Sequence, residues 1–455
     1  NKKLDKGKKY IFLTKYLSSF YKISSKNKNI KILKNDKFFA NRKFVHENYL
    51  FSKRKLTIYR EELRIILNRY HNLNKSNKYW GLNLDMILFS LIRDLKYKFD
   101  IIKNSKIYKT DFKFEIGEST VFHESSQDLT HDLTLSNKEN FLFYNIIRVL
   151  KNKNKEKLEK KKTFFKKKSN RFTLINLFKQ IILRTYIIIF KPIILVKPYT
   201  GFKNCLKIFF KSFGRIITIN NFKFNQNFNE IDFDFRNSFK IKERDLFDKI
   251  FNTVIGELFP KNYIENFSSI KSNKLFLSII KNSKKICCGN HFFDDDICIL
   301  ASELKENNKK FIIFQHGGLF GTRVDSILED FDKLYGDKLY YWTTKFGLGD
   351  NYLSRFPIRK KKKYHNITLM CSRIGLTIGF RSQLLTEKDN PFLSKTYEIY
   401  KYLKPSLREI FYVKLFPKDR MKVLQKEEWL NFTGNKVKFI NDKKDLFSSK
   451  LVILD

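Results

Sequence analysis

The chain has 455 residues, 42% of them hydrophobic, and carries 92 Lys and Arg against 46 Asp and Glu for a formal charge of +46. That length and apolar content accommodate two or three domains with sizeable cores and exclude a disordered protein. The basic excess does not select a polyanion partner by itself. Lys, Asn, Ile and Phe are abundant together, as an AT-biased coding sequence would produce, and the Arg-and-aromatic stripe of a nucleic-acid module is lacking, so no nucleic acid is expected.

Tyr10 to Leu13 reads as a short strand, and Arg60 to Asn68 opens a helical pattern with Leu63, Ile66 and Leu67 on one side. A second helix is expected from about Leu84 to Ile102. Between them HNLNKSNKYW, His71 to Trp80, sets polar groups beside two aromatics, as a helix connection or as part of a site. Lys151 to Lys168 is a solvated lysine run. The most apolar stretch, Phe172 to Val196, is interrupted by Lys179, Gln180, Arg184 and Lys191 and is a poor transmembrane helix; its mixture of Phe, Ile and Lys suits a membrane interface. Cys205, Cys287, Cys288, Cys298 and Cys371 form no CxxC pair and no zinc spacing. A reducing, cytoplasmic setting is expected, at the inner face of the cytoplasmic membrane if the interfacial reading of that stretch holds.

The pattern becomes regular from Glu243. Asp245 to Leu258 predicts a helix ended by Pro260, Lys284 to Cys288 a strand, and Asp294 to Asn307 a helix whose Asp294, Asp295 and Asp296 suit an N-terminus through capping and the macrodipole. His291 lies three residues before Asp294, but capping accounts for the acids, so no metal is expected. The next strand, Phe311 to Phe314, runs into QHGGLFG. A strand buried on both faces ends at the rim where α/β proteins bind ligands, so Gln315 and His316 stand at the mouth of a cleft. Gly317, Gly318 and Gly321 let the backbone approach a ligand closely and turn N–H groups toward phosphate or sugar oxygens. His316 adds a side chain that titrates near neutrality. Taken alone, HGG is equally well a tight turn. In a strand, helix, strand unit, however, the ends near Gly289 and Gln315 share one rim.

A second alternating section follows Arg359 to Lys363. Strands are expected at Ile367 to Cys371, Ile410 to Phe416, Val437 to Ile440 and Leu451 to Leu454, with helices at Pro391 to Leu403 and Arg420 to Leu430. The chain opens at Asn1 and closes at Asp455, where a ligand loop would begin, so a fragment truncated at both ends is expected.

Several motifs in order resemble a family of bacterial transferases found with O-antigen and other surface-polysaccharide genes, distantly similar to capsule glycosyltransferases and CDP-glycerol glycerophosphotransferases. The carriers are RKFVHENYLFSKRKL, HNLNKSNKYW, the HFFDDD helix start, QHGGLFG, YYWTTKFG (similar to a tWGW pattern), VKLFPKDRMK with Trp429, and LVILD. Residues 129 to 240 show little resemblance. Arg420 and Met421 depart from the family's aromatic and glycine, and Trp342 stands alone where the family has a pair.

The resemblance implies an α/β, GT-B-like fold of two Rossmann-like domains facing a cleft, with helical N-terminal elaboration. Residues 1–358 would form the acceptor side, with helical and basic insertions, and 364–455 an incomplete donor side. It implies transfer of a sugar from a nucleotide-activated donor to a glycan or lipid-linked glycan acceptor, without a cofactor or metal; peripheral membrane association is the expectation from Phe172 to Val196. His316 is the candidate base. Gln315, Gly317, Gly318, Gly321, Asp294 and Asp295 are candidate substrate contacts, with Lys418 and Arg373 for donor phosphate and Asp419 to orient Lys418 or meet a sugar hydroxyl. Alternatives are a polyol-phosphate transferase, a nucleotide-sugar hydrolase or epimerase, and a non-catalytic basic protein binding polyanion or membrane.

Overall fold

The structure is a computed structural model that describes residues 10–12, 30–32, 42–109, 122–134, 139–152, 174–198, 202–219, 224, 229–315, 320, 326–341, 366–370, 398–415, 426, 429–440 and 449–454. The chain divides into two compact units, one formed by Asn1–Val45 with Phe356–Asp455 and the other by His46–Arg355. In the first, β1 (Tyr10–Phe12) and β2 (Ile30–Ile32) pair in parallel.

The second unit is built on five parallel strands: β3 (Ile193–Val196), β4 (Ile216–Ile219), β5 (Lys285–Cys288), β6 (Lys310–Phe314) and β7 (Lys338–Tyr340), in the order β4-β3-β5-β6-β7. Counted from its own first strand this is 2-1-3-4-5, the order of a doubly wound sheet whose direction of winding reverses between β3 and β5. Phe311, Ile312 and Ile313 of β6 are all buried, as a strand covered on both faces requires. The sheet therefore begins well before Glu243, where the sequence pattern first becomes regular. β3 and β4 are four-residue strands in a Lys- and Asn-rich stretch, too short for period 2 to stand out.

Helices surround this sheet. In chain order they are α1 (Arg42–Tyr70), α2 (Asn77–Ser105), α3 (Ser126–Thr134), α4 (Glu139–Leu150), α5 (Leu174–Phe190), α6 (Phe202–Lys211), α7 (Phe233–Ser238), α8 (Leu246–Leu258), α9 (Phe267–Lys271), α10 (Lys274–Asn282), α11 (Asp295–Glu306) and α12 (Ile327–Tyr335). Both long N-terminal helices start earlier than their apolar periodicity suggests. α2 starts at Asn77 because Ser76 caps it, its side chain accepting from the Tyr79 N–H. It is buried on nearly every side, from Trp80 to Ile102, and packs against α4 and α11. α1 is tied to α8 by Lys55, whose Nζ donates to Asp245 at 2.6 Å and Asp248 at 2.5 Å, and by the Tyr59 hydroxyl, 2.6 Å from Asp248.

The first unit also carries the parallel strands β8 (Asn366–Met370), β9 (Phe411–Lys414), β10 (Lys438–Phe439) and β11 (Ser449–Leu454), in the order β10-β9-β8-β11. Counted from β8 this is 3-2-1-4, again a doubly wound order with its reversal between β8 and β11. Leu369, Phe411, Val413 and Trp429 form its buried core. The described parts of the helices expected at Pro391 to Leu403 and Arg420 to Leu430 are helical at 398–402, 426 and 429–430. Among the described residues the chain is thus α/β, with three parallel sheets, two of them doubly wound, and many helices.

Candidate functional site

In a doubly wound sheet the strand ends flanking the reversal are splayed, and ligands bind in the resulting crevice at the carboxyl edge. Here that crevice lies between β3 and β5. β3 runs into Lys197, which holds a left-handed backbone at φ 46°. β5 runs into Gly289, Asn290, His291, Phe292 and Phe293, the last also left-handed at φ 62°. Such a conformation costs a non-glycine residue roughly 1–2 kcal/mol, so the surrounding contacts must hold it. Lys197 Nζ donates to Asp294 Oδ2 at 2.5 Å, bridging the two strand ends. Asp294 also caps α11, its Oδ1 accepting from the Ile297 N–H at 3.3 Å.

Of the residues expected to bind substrate, three are described. Gln315 follows β6 and is buried; its N–H donates to the Tyr340 carbonyl at 2.8 Å, so the ladder with β7 continues to the doorstep of His316. Asp294 lies at the edge, partly exposed. Asp295 points inward: it is 3% exposed, and its Oδ2 accepts from the Ser126 N–H at 2.9 Å and from Asn262 Nδ2 at 3.0 Å. Burial pushes its carboxyl up to about 6 against the bonds from Ser126, Tyr263 and Asn262. Asp295 thereby fixes α11 to the start of α3 behind the crevice. Because β3, β5 and β6 are adjacent and parallel, the Lys197–Asp294 bridge, the His291 loop and Gln315 share one edge.

His316, Gly317, Gly318, Gly321, Arg373, Lys418 and Asp419 lie outside the described residues. By sequence His316 directly follows Gln315, Arg373 comes three residues after β8, and Lys418 four residues after β9. β8 and β9 are neighbours in the second sheet.

Behind the first crevice lies a polar layer that the sequence did not single out. Asp85 Oδ2 accepts from Arg60 Nη1 at 2.6 Å and from the Tyr335 hydroxyl. Burial raises the Asp85 carboxyl to about 6 although Arg60 and Tyr335 pull it down. The Tyr335 hydroxyl occupies the space a Cβ on Gly81 would take, so this helical position admits only glycine without a shift. His291 Nδ1 is 3.8 Å from Asp332 Oδ1, both deeply buried, and burial together with Glu329 pushes the Asp332 carboxyl well up. Asp85, Tyr335, His291 and Tyr263 line a cavity of about 10 Å³ for a water-sized occupant. That is room for about one water and not for a substrate, so this layer supports the crevice and does not contain it.

HNLNKSNKYW belongs to the same support. Asn68 accepts from Trp80 Nε1 at 2.8 Å and exchanges bonds with the Lys75 backbone, and His71 Nε2 pairs with the Tyr263 carbonyl at 3.0 Å. The Tyr79 hydroxyl donates to Glu303 on α11 at 2.7 Å. The segment is a helix connection that locks α1, α2 and α11 together. Among the described residues no group of three or more His, Cys, Asp or Glu is arranged to hold a metal ion.

A family model described as LIC12162 family transferase matches residues 1–455, the whole chain. The protein belongs to the LIC12162 family of transferases. No curated protein and no solved structure matches it. Membership in this family is consistent with a transferase activity. It leaves the transferred group and its acceptor to be argued from the site.

Proposed function

We propose that the protein is a GT-B-like glycosyltransferase that moves a sugar from a nucleotide-activated donor onto a surface polysaccharide or O-antigen precursor. The observation that carries this reading is the strand order: the five-stranded and four-stranded sheets are both doubly wound, and His316 and Lys418 follow β6 and β9, each the neighbour of a strand that flanks the reversal. Membership in a transferase family supports it. In this reading the sheet of His46–Arg355 serves the acceptor and the sheet containing β8 and β9 serves the donor.

His316 takes the proton from the acceptor hydroxyl as its oxygen attacks the anomeric carbon of the donor. The bond from that carbon to the diphosphate oxygen breaks, and the nucleoside diphosphate leaves with the electron pair. Lys418 and Arg373 meet the developing charge on the diphosphate, with Asp419 orienting Lys418. Gln315 and the amides of Gly317, Gly318 and Gly321 position the acceptor, and the Lys197–Asp294 bridge holds the neighbouring loop.

The test is incubation of the protein with a panel of nucleotide sugars, with and without glycan acceptors. Acceptor-dependent release of nucleoside diphosphate with a labelled product supports the reading. Release of free sugar without an acceptor would instead make the protein a hydrolase, and transfer only from CDP-linked polyols a polyol-phosphate transferase.

A further inference from the structure

α5 and α6 present an apolar surface that the sheet does not use. α6 packs on β4, whereas Phe202, Leu206 and Phe210 follow at helical spacing along its exposed side and Phe213 lies just past its end. Phe202 is 76% exposed, Phe210 68% and Phe213 89%. On α5, Phe178 and Ile189 are each 64% exposed, with Ile181, Ile182 and Phe190 also open. The two sets join through ring contacts: Phe190 stacks on Tyr186 at 4.6 Å, Tyr186 meets Phe209 at 5.9 Å, and Phe209 meets Phe210 at 5.5 Å. The Tyr186 hydroxyl donates to the Gly214 carbonyl and fixes this junction.

Large apolar side chains left open in a contiguous patch mark a surface that another phase or partner covers. The charge around the patch says which. From Lys160 to Asn229 the sequence has sixteen Lys and Arg and no Asp or Glu, although the whole chain has 46 acidic residues in 455. A uniform spread would place about seven acids in that span. The basic excess of the chain is thus concentrated here and not merely a compositional bias. Lys203, Lys207 and Lys211 form a stripe one position round from the exposed Phe stripe, and Arg184, Lys191 and Arg215 are also exposed. None of these six has an acidic partner among the described residues.

We propose that the α5–α6 face docks in the plane of an anionic lipid bilayer, with Phe and Ile entering the headgroup boundary and Lys and Arg meeting the lipid phosphates. This is the pattern of an interfacial helix: an apolar face bordered by cations. Among the described residues no helix is long and apolar enough to cross a membrane, which fits lying on the surface. The site is separate from the sheet edge of the proposed transfer chemistry, so its test does not depend on activity.

The full chain is floated with vesicles of phosphatidylcholine, with and without phosphatidylglycerol, across a salt series. Each basic residue brought to an anionic surface strengthens partition by roughly fivefold, so the expected result is at least tenfold tighter binding to the phosphatidylglycerol vesicles, weakening with salt. The triple variant Phe202→Ser, Phe210→Ser, Phe213→Ser is expected to lose at least tenfold in binding, with unchanged unfolding because all three side chains are exposed. The triple variant Lys203→Glu, Lys207→Glu, Lys211→Glu is expected to lose the preference for phosphatidylglycerol. Equal or no partition of the wild-type chain overturns the proposal. So does a dimer in solution, seen by light scattering, that the Phe triple variant converts to monomer, since the patch would then cover a second copy.

Discussion

Lys197 Nζ lies 2.5 Å from Asp294 Oδ2, and this pair joins the end of β3 to the first turn of α11 across the reversal of the five-stranded sheet. Both Lys197 itself and Phe293, the residue before Asp294, hold left-handed backbones. The pair therefore holds the shape of the crevice as well as the start of a helix.

Asp294→Ala removes both the cap on Ile297 and the ion pair, and is expected to destabilise the fold by about 1–2 kcal/mol. Asp294→Asn keeps a capping oxygen and loses only the charge, so it should cost less. Urea unfolding midpoints at constant slope measure both; equal losses in the two variants would place the cost in the ion pair and not in the cap.

Gly81→Ala drives a methyl group onto the Tyr335 hydroxyl, which Asp85 and Arg60 hold in place. Alanine in a helix ordinarily gains about 1 kcal/mol over glycine, but overpacking costs about 1–3 kcal/mol. The variant is therefore expected to be less stable than wild type. Tyr335→Phe in the same chain should recover part of the loss, because the hydroxyl is the nearest atom. A Gly81→Ala protein with a raised melting temperature would show that the contact relaxes freely.

Asp295 contributes one share of the pH dependence, beside Asp85 and Asp332, whose carboxyls burial also raises. Its folded carboxyl is pushed up to about 6 from an ordinary value of 3.8, mainly by burial. The folded state therefore binds the proton more tightly than the unfolded chain. Stability from this group is complete below about pH 4 and is lost as pH rises through about 6. Asp295→Asn does not titrate and retains an acceptor for the Ser126 N–H. Relative to wild type it should gain stability between pH 4 and pH 7, by on the order of 3 kcal/mol for a shift of about two units. The difference between the two unfolding curves is the measurement, because Asp85 and Asp332 tilt the total profile the same way and Asp248 and Glu303, whose carboxyls are lowered, the other way. A difference that stays flat with pH would mean that Asp295 remains ionised in the fold.

His316→Ala is expected to lower turnover by roughly a hundredfold or more while leaving the unfolding midpoint unchanged. Lys418→Ala should raise the donor KM, with a smaller change in the acceptor KM. Steady-state kinetics with both substrates varied separates the two residues. Near-normal turnover of the His316 variant removes that histidine from the chemistry.

Much of the local structure was legible in the sequence. Phe311 to Phe314 read as a strand buried on both faces, and it is one; Asp245 and Asp294 read as helix starts, and each caps a helix. These signals are local, because capping bonds reach only three residues and strand burial shows in four. HNLNKSNKYW was readable as a dense polar and aromatic segment but not as a lock, since its partners Tyr263 and Glu303 are roughly two hundred residues away in the chain. The same distance hid Asp85, whose partner Tyr335 comes from a different helix.

By itself the sequence determined the alternation of strand and helix from Glu243 onward, the glycine-rich QHGG segment after β6 and the acid-free span around α5 and α6, but not β3 and β4. Only the tertiary structure decided the strand order, which places Lys197 beside Asp294 and turns Asp295 inward while Asp294 stays at the edge. Neighbouring aspartates on a helix point about 100° apart, so one reaches the crevice and the other the core. Which one does so depends on the elements packed against the helix, Ser126 of α3 and Asn262 before α9, and not on the three acids themselves.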